Sequence, residues 1–344
     1  MPSAGTYALQ GKTNMTIVME ERPQAVETAT DKERHTEKCV TVIFNPVSGQ
    51  GDPEQRKAAI ETALAEHGYR CQHLVTTPEK GARHFAEQAI RDGVDLLAVS
   101  GGDGTVIEAM AALIGTNIPL AIFPAGTGNL LSINLGLPRS APEAVHAALF
   151  GERRALDLVR MTTPKPEKGD DERYFAILAG AGYDASIIRD ADRNAKNRMG
   201  MGAYLWAALR NLRHRPMLAH IQLEGQARPL RRRARSVMVA NMGYLQGNVP
   251  MIPSAEPDDG MLDIAILKAE TIRDWVRLAF NALRRKLEAD PAIEYHKARK
   301  VTVSLSAPQP MQFDGEEADE PHRFFTAEVL PSAVQVMVPK SSPV

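Results

Sequence analysis

The chain has 344 residues, 44% hydrophobic and 24% charged, with 41 Lys+Arg against 42 Asp+Glu and a net charge of -1. That length supports a substantial core without disulfide or metal staples. The even charge balance excludes a bulk basic field for nucleic acid, so no nucleic-acid partner is expected, and any basic patch must be local.

In chain order, residues 1–37 are polar and rich in Thr and Glu, and read as a flexible leader. They show no apolar h-region behind a basic start, so no secretory signal is expected. Nowhere does the chain reach the roughly 20 consecutive apolar residues that a spanning helix needs. The expectation is a cytoplasmic protein, soluble or peripheral at the inner membrane surface. Val40 to Asn45 is a β-branched run closed by Pro46 and Gly49, a buried strand followed by a loop. Asp52-Pro53 opens a helix running to about His67, with Asp52 as N-cap and Pro53 at the first position. A strand follows from Cys71 to Thr76, then a helix from Glu79 to Arg91 closed by Gly93. Asp95 to Ser100 is a third strand, Thr105 to Ile114 a third helix, and Leu120 to Phe123 a fourth strand. The two cysteines, Cys39 and Cys71, open apolar runs. They fit free thiols in a reducing compartment and could pair only if their strands were neighbours.

Strands alternating with helices over this region imply a doubly wound parallel sheet, with ligands at the carboxyl ends of its strands. After Leu156 the texture changes. A charged loop at Pro164 to Glu172 precedes β-rich runs at Tyr174 to Ala179, Ala219 to Leu223, Ser236 to Asn241, Leu262 to Leu267, Lys300 to Leu305, Arg323 to Val329 and Val334 to Val338. Several alternate apolar and polar residues, as antiparallel sheets with one wet face do. Helical patterns interrupt them at Gly200 to His214 and Ile272 to Glu288. The expected organisation is an α/β domain over 38–160 and a mostly antiparallel β-sandwich domain over 161–340, with the site in the cleft between them.

Three turns at the strand ends carry chemistry. Gly101-Gly102-Asp103-Gly104-Thr105 joins a strand to a helix. Its glycines let backbone N–H groups approach phosphate, and the helix N-terminus favours an anion. Asp103 cannot serve a phosphate directly and must face a metal, a donor or a hydroxyl; the alternative is a tight turn with Asp103 as N-cap. Pro124-Ala125-Gly126-Thr127-Gly128-Asn129 is a second Gly-rich loop at the same sheet edge. Asn45-Pro46-Val47-Ser48-Gly49 is a third, with Asn45 and Ser48 offering hydrogen bonds to ribose or phosphate. No Walker motif, protein-kinase set or dinucleotide fingerprint is present. Far downstream lie two acidic groups, Asp258-Asp259-Gly260-Met261-Leu262-Asp263 and Asp314-Gly315-Glu316-Glu317. Each is a hairpin turn or a source of carboxylates for magnesium and for proton transfer.

The ordered set NPVSG, GGDGT, PAGTGN, LDL (156–158), GAGYDA (180–185), PDDGMLD (257–263) and DGEE (314–317) resembles the diacylglycerol kinase catalytic family, which includes bacterial lipid kinases and the sphingosine and ceramide kinases. The resemblance covers roughly residues 38–338. It implies ATP and Mg2+ as cofactors and transfer of a phosphoryl group to the hydroxyl of a lipid, most simply diacylglycerol. By motif, Asn45, Ser48 and Gly49 contact nucleotide. Gly101, Gly102, Asp103, Gly104 and Thr105, with Gly126, Thr127 and Asn129, hold its phosphates. Asp314 and Glu316 are catalytic together with Asp103, Asp314 being the base. Asp259 and Asp263 resemble a secondary magnesium site. One departure stands out: Leu130 follows GTGN where many members carry Asp. Alternatives from other classes are an NAD kinase and a catalytically silent nucleotide- or lipid-binding module. The expected partner is a lipid at a membrane surface. The segment Met199 to Arg215, with Tyr204, Trp206 and a basic end, is either an interfacial helix or a core-packing one. Arg231, Arg232, Arg233 and Arg235 form a second basic run, and a homodimer is left open.

Overall fold

The structure, a computed structural model, describes residues 38–49, 51–126, 128–165, 169–182, 216–245, 249–284 and 286–340. The expected leader, the helix at 200–214, Thr127 and the Tyr183–Ala185 part of GAGYDA lie outside them.

The first half forms as a doubly wound unit. Strands β1 (Lys38–Phe44), β2 (Tyr69–Val75), β3 (Leu97–Gly101) and β4 (Leu120–Pro124) lie in the order β2-β1-β3-β4. All are parallel, with Val42 opposite His73 on one side and Ala98 on the other. Helix α1 (Pro53–Glu66) starts where Asp52 accepts from the Glu54 amide at 2.9 Å. It packs with α5 (Ala141–Phe150) on one face of the sheet, where Val40, Val42 and Phe44 meet Ile60, Leu64 and Val145. Helices α2 (Ala82–Asp92) and α3 (Asp103–Leu113) cover the other face, where Ile43 and Val99 meet Ala86, Val106 and Met110. Strands buried on both faces account for the near-continuous apolar runs. Two helices have no counterpart among the expected elements. The first, α4 (Leu130–Asn134), is too short to show a period, and the second, α5, is so Ala-rich that its faces contrast weakly.

The second half corrects two readings of the β-rich runs. The runs at 323–329 and 334–338 belong to one long strand, β18 (His322–Val338). The gap between them holds Pro331 and Ser332 and is a bulge, where the register against β5 (Glu152–Lys165) shifts between Leu330 and Val334 and Ser332 takes φ 50°. Conversely, the run at 174–179 is two strands, β6 (Gly169–Phe175) and β7 (Leu178–Gly182), broken at Ala176-Ile177.

Strand β18 unites the architecture. It pairs parallel to β4 at Val336 opposite Leu120, and antiparallel to β15 (Lys300–Gln309) and β5. Beyond β15 come β8 (Met217–Leu223) and β9 (Leu230–Ala234), so ten of the described strands share one sheet. The second sheet runs β14 (Ile293–Ala298), β13 (Leu262–Leu267), β10 (Ser236–Ala240), β7, β16 (Met311–Phe313), β17 (Glu316–Glu317), with antiparallel pairs throughout. Alternate side chains decide its two faces. Val237, Val239, Ile264 and Ile266 point at the first sheet, against Ile221, Val301, Val303 and Phe325. Met238, Ala240, Ala265 and Leu267 point the other way, into a core shared with Trp275 and Leu278 of α6 (Ile272–Leu283). Each fully buried Val, Ile, Leu, Met or Phe side chain among these contributes roughly 1.5–3 kcal/mol. The α/β class, with parallel strands in the N-terminal part of the first sheet and an antiparallel second sheet, therefore stands as expected.

The cysteine strands β1 and β2 are neighbours, yet both thiols are free. Cys71 lies opposite Val40, not Cys39, so the two side chains point to opposite faces of the sheet.

Candidate functional site

The parallel strands end together, and their turns interlock. After β1, Asn45 donates its side-chain amide to Thr105 Oγ1 at 2.8 Å and accepts from the Val47 amide at 3.1 Å. Ser48 Oγ accepts from the Gly102 amide at 3.1 Å, tying the first turn to the loop after β3. Gly49, at φ 90°, lies so close to the Ala125 carbonyl that a Cβ could not be accommodated. Beneath this turn sits Arg56 of α1, which no motif singled out. It donates to the carbonyls of Ser48 and Asn45, the latter at 2.6 Å, while its guanidinium stacks on the Phe44 ring at 4.6 Å.

The two Gly-rich loops touch each other. A Cβ on Gly126 would stand 2.8 Å from the Gly102 Cα, so these backbones come together only without side chains. Gly102 is the N-cap of α3 and supplies no capping side chain, and the N-terminal end of a helix favours an anion. Asp103, the first residue of α3, gives its carboxylate to backbone amides, its own among them. Oδ2 accepts from the Leu130 amide and Oδ1 from the Leu131 amide, both at 3.1 Å. Of the options open to it in the sequence, Asp103 therefore faces donors, and it fastens the entry of α4 to the GGDGT loop. Burial pushes its carboxyl up, while these amides pull the other way. Asn129 enters α4 in the left-handed region, φ 48°, with its side-chain amide donating to the Gly126 carbonyl at 2.6 Å. Leu130 offers Asp103 only its backbone; its side chain is buried in the core.

Asp314 and Glu316 come to the same place from the second sheet. The broken strand at Ala176-Ile177 explains how. The amides of Ala176, Ile177 and Leu178 all donate to the Asp314 carboxylate, at 2.9, 3.0 and 2.8 Å. Asp314 itself sits at φ 47° and returns its own amide to the Leu178 carbonyl at 2.8 Å. Burial pushes this carboxyl up to about 7, against the pull of its three donors, and the negative charge of Asp103 adds to the rise. Asn241 supports the arrangement from behind. Its side chain is fully buried and donates to the Asp157 and Ala176 carbonyls at 3.2 and 3.1 Å, and its backbone amide binds the Ile177 carbonyl at 2.8 Å. Glu316 reaches across to α3, where a Cβ on Gly104 would stand 2.5 Å from its Oε1.

Between these parts lies a cleft of about 720 Å³. Its wall includes Asn45, Ser48, Gly102, Asp103, Gly104, Thr105, Asp314 and Glu316. Arg83, Glu108 and Arg173 also line it, none of them part of a recognised motif. Glu108 accepts from the Ala82 amide at 2.8 Å, and Arg173 pairs with Asp171 and Asp319 while its guanidinium lies 5.5 Å from the Phe313 ring centre. Only their convergence in space marks these residues; each lies in an ordinary helix or strand in sequence.

The downstream acidic pair is placed elsewhere and is already matched. Lys297 Nζ lies 3.0 Å from Asp259 Oδ2, 3.3 Å from Asp263 Oδ2 and 3.1 Å from the Ser254 carbonyl. An ammonium thus stands where the resemblance implied a magnesium ion, and the donor set does not fit a second cation. Burial raises the Asp263 carboxyl, and Lys297 opposes that rise. The neighbouring turn is pinned by Asp157, which accepts from the Gly260 and Ser332 amides, each at 2.7 Å. The basic run is not one patch. Arg232 pairs with Glu294 at 2.8 Å, and Arg235 is buried against the Ala269 carbonyl. Among the described residues no three His, Cys, Asp or Glu side chains form a metal cage, and no helix is long and apolar enough to cross a membrane.

Comparison with known proteins gives two consecutive family matches: a diacylglycerol kinase catalytic domain over residues 39–161, and a YegS C-terminal NAD kinase beta sandwich-like domain over 178–338. A diacylglycerol kinase of Mycobacterium tuberculosis is 29% identical over 314 residues, 89% of this chain and 97% of that protein. An uncharacterized protein of Synechocystis is 28% identical over 295 residues, 80% of this chain but 65% of that longer protein. A solved structure of a putative diacylglycerol kinase from Bacillus anthracis superposes with a TM-score of 0.67 at 25% identity, covering 88% of this chain and 97% of that one.

Proposed function

Because the chain belongs to the diacylglycerol kinase and YegS-like lipid kinase family, we propose that it transfers the γ-phosphoryl group of ATP to a lipid hydroxyl, that of diacylglycerol, giving phosphatidic acid. The observation that carries this reading is the Asp314 carboxyl. It is fixed by three backbone amides, raised to about 7, and set in the wall of a cleft whose opposite side is built of glycine turns.

Each part of the cleft has a task in such a transfer. The N-terminus of α3 and the touching glycines Gly102 and Gly126 suit a polyphosphate, because they offer N–H groups and no Cβ. Asn45 and Ser48 hold the first turn at hydrogen-bonding distance from that loop. Arg56 keeps the turn in place, and Asp103 keeps the second Gly-rich loop against the first. When bound, Mg·ATP supplies the phosphoryl group and the metal charge that offsets its oxygens. Magnesium commonly binds through one or two carboxylates plus substrate phosphates; Glu316, lying against α3, would be the carboxylate to hold it. Asp314 accepts the proton of the attacking lipid hydroxyl. A base titrating near neutrality is ionised often enough to act and basic enough to take the proton.

The test is radiolabel transfer from ATP with magnesium to a panel in mixed micelles: diacylglycerol, phosphatidylglycerol, sphingosine, ceramide and NAD. Label in diacylglycerol is the expected result. Label in NAD alone, or none in any lipid, would overturn the proposal.

A further inference from the structure

Helix α6 is amphipathic in an unusual way, because its apolar residues outnumber those that the core takes. Trp275 and Leu278 point inward, 7% exposed each, into the cluster that also holds Ile177, Leu178, Ala240 and Met242. On the outer side, Ile272, Val276 and Phe280 stand 56%, 49% and 50% exposed. Their spacing of four residues sets them in one row along the helix. Few other large apolar side chains of the described surface are as exposed, and among the described residues no other helix exposes three of them in a row.

The charges beside this row have one sign. Arg273 follows Ile272, Arg284 places its guanidinium 4.4 Å from the centre of the Phe280 ring, and Lys286 lies just beyond; all three are exposed. The one acid of the helix, Asp274, is spent on Thr271 and on Arg277 at 2.9 Å. Arg277 is in turn held by the buried Asp290. Glu270 and Glu288 sit off the two ends of the helix. An apolar row flanked by free cations, with the acid neutralised, is the pattern of a helix that lies in the plane of a membrane interface. Apolar side chains enter the acyl boundary while Arg and Lys meet anionic headgroups, each cation strengthening adsorption. A second copy of the chain would match the apolar row but would bring the same cations against these.

We propose that α6 is the bilayer-docking element of this protein, inserting Ile272, Val276 and Phe280 into an anionic leaflet with Arg273, Arg284 and Lys286 on the headgroups. The biological use of such docking rests on the lipid kinase reading, whereas the docking itself does not. It gives the protein a membrane contact on the described part of its second half.

The experiment is co-sedimentation of the full chain with two kinds of vesicle, pure phosphatidylcholine and phosphatidylcholine with roughly a third phosphatidylglycerol. Wild type is expected to bind the anionic vesicles and to leave the neutral ones. Val276→Ser/Phe280→Ser is expected to weaken that binding by about tenfold or more. Its melting temperature should stay unchanged, since these side chains do not pack inside. Arg273→Glu/Arg284→Glu should abolish the preference for anionic lipid. Phosphorylation of a water-soluble short-chain diacylglycerol should be unaffected in both variants. Vesicle binding that tracks the variants without any lipid phosphorylation would sustain docking and remove the kinase reading. Equal vesicle binding by wild type and both variants, or a wild type that ignores vesicles, would overturn the docking. So would a wild-type dimer that the serine variant splits while vesicle binding stays the same.

Discussion

Asp314→Asn isolates the group on which the mechanism turns. The Asp314 carboxyl titrates near 7 in the folded chain, against an ordinary 3.8. The native state therefore holds a proton that the unfolded chain has released between those values. Stability falls as pH rises wherever the native state binds more protons. At 1.36 kcal/mol per unit, full ionisation costs the fold about 4 kcal/mol, lost progressively as pH rises from about 4 to about 7. Asparagine has nearly the same shape, keeps one oxygen for the amides of Ala176, Ile177 and Leu178, and does not titrate. Its amide group faces at least one of those N–H donors badly, so the variant starts at a disadvantage of about 1–3 kcal/mol in acid. Between about pH 5 and about pH 8 it should then gain about 2–3 kcal/mol on wild type. Urea unfolding of both proteins at stepped pH measures the difference directly. In parallel, wild-type kcat/KM for diacylglycerol should climb about tenfold per pH unit below about 7 and level off above it. The variant should lose a factor of about 10² to 10⁴. Stability curves that stay parallel from acid to alkaline pH would refute the reasoning, because the carboxyl would then not be titrating in this range.

Three other perturbations address separate parts of the structure. Asp103→Asn keeps one acceptor for the two α4 amides, so circular dichroism should report an intact fold while ATP-dependent transfer drops at least about a hundredfold; full activity would show that the loop needs no such tie. Arg56→Ala removes the two donors under the first turn and should raise the KM for ATP about tenfold with little change in kcat, at a stability cost of about 1–2 kcal/mol. Lys297→Met strips the counter-charge from Asp259 and the buried Asp263; with Lys297 partly in solvent, the loss at neutral pH should be about 1–2 kcal/mol. Added magnesium should raise the melting temperature of the Lys297 variant and leave that of wild type unchanged, as followed by calorimetry.

The sequence displayed those parts of the fold in which local chemistry and final position agree. Asp52-Pro53 opened α1, Gly93 closed α2, and the run Leu262–Leu267 became β13 with the same bounds. Long-range pairing was harder to see. The runs at 323–329 and 334–338 read as separate, because no local pattern shows that β18 bridges both halves of a sheet. The break at Ala176-Ile177 went unseen for the opposite reason: both residues are apolar, and what interrupts the strand is a carboxylate 137 positions away along the chain. The turns at Asn45–Gly49 and Gly101–Thr105 and the DGEE group announced themselves by residue type, and the fold brings residues of all three to one cleft, with Gly126 packed behind Gly102. Arg56 and Asn241 did not, since their roles lie in which carbonyls they reach. The pair Asp259 and Asp263 shows the converse limit: Lys297, from β14, answers both carboxylates, and nothing in the PDDGMLD stretch reveals it.

The central claim is most directly tested by a single-turnover measurement. Wild type and Asp314→Asn, each saturated with labelled ATP and magnesium, are mixed with a short-chain diacylglycerol above about pH 7, and phosphatidic acid is followed over time. The account predicts rapid formation of phosphatidic acid by wild type, and a slowing of about 10² or more in a variant that still binds ATP with wild-type affinity. Phosphatidic acid formed by both at the same rate would contradict it.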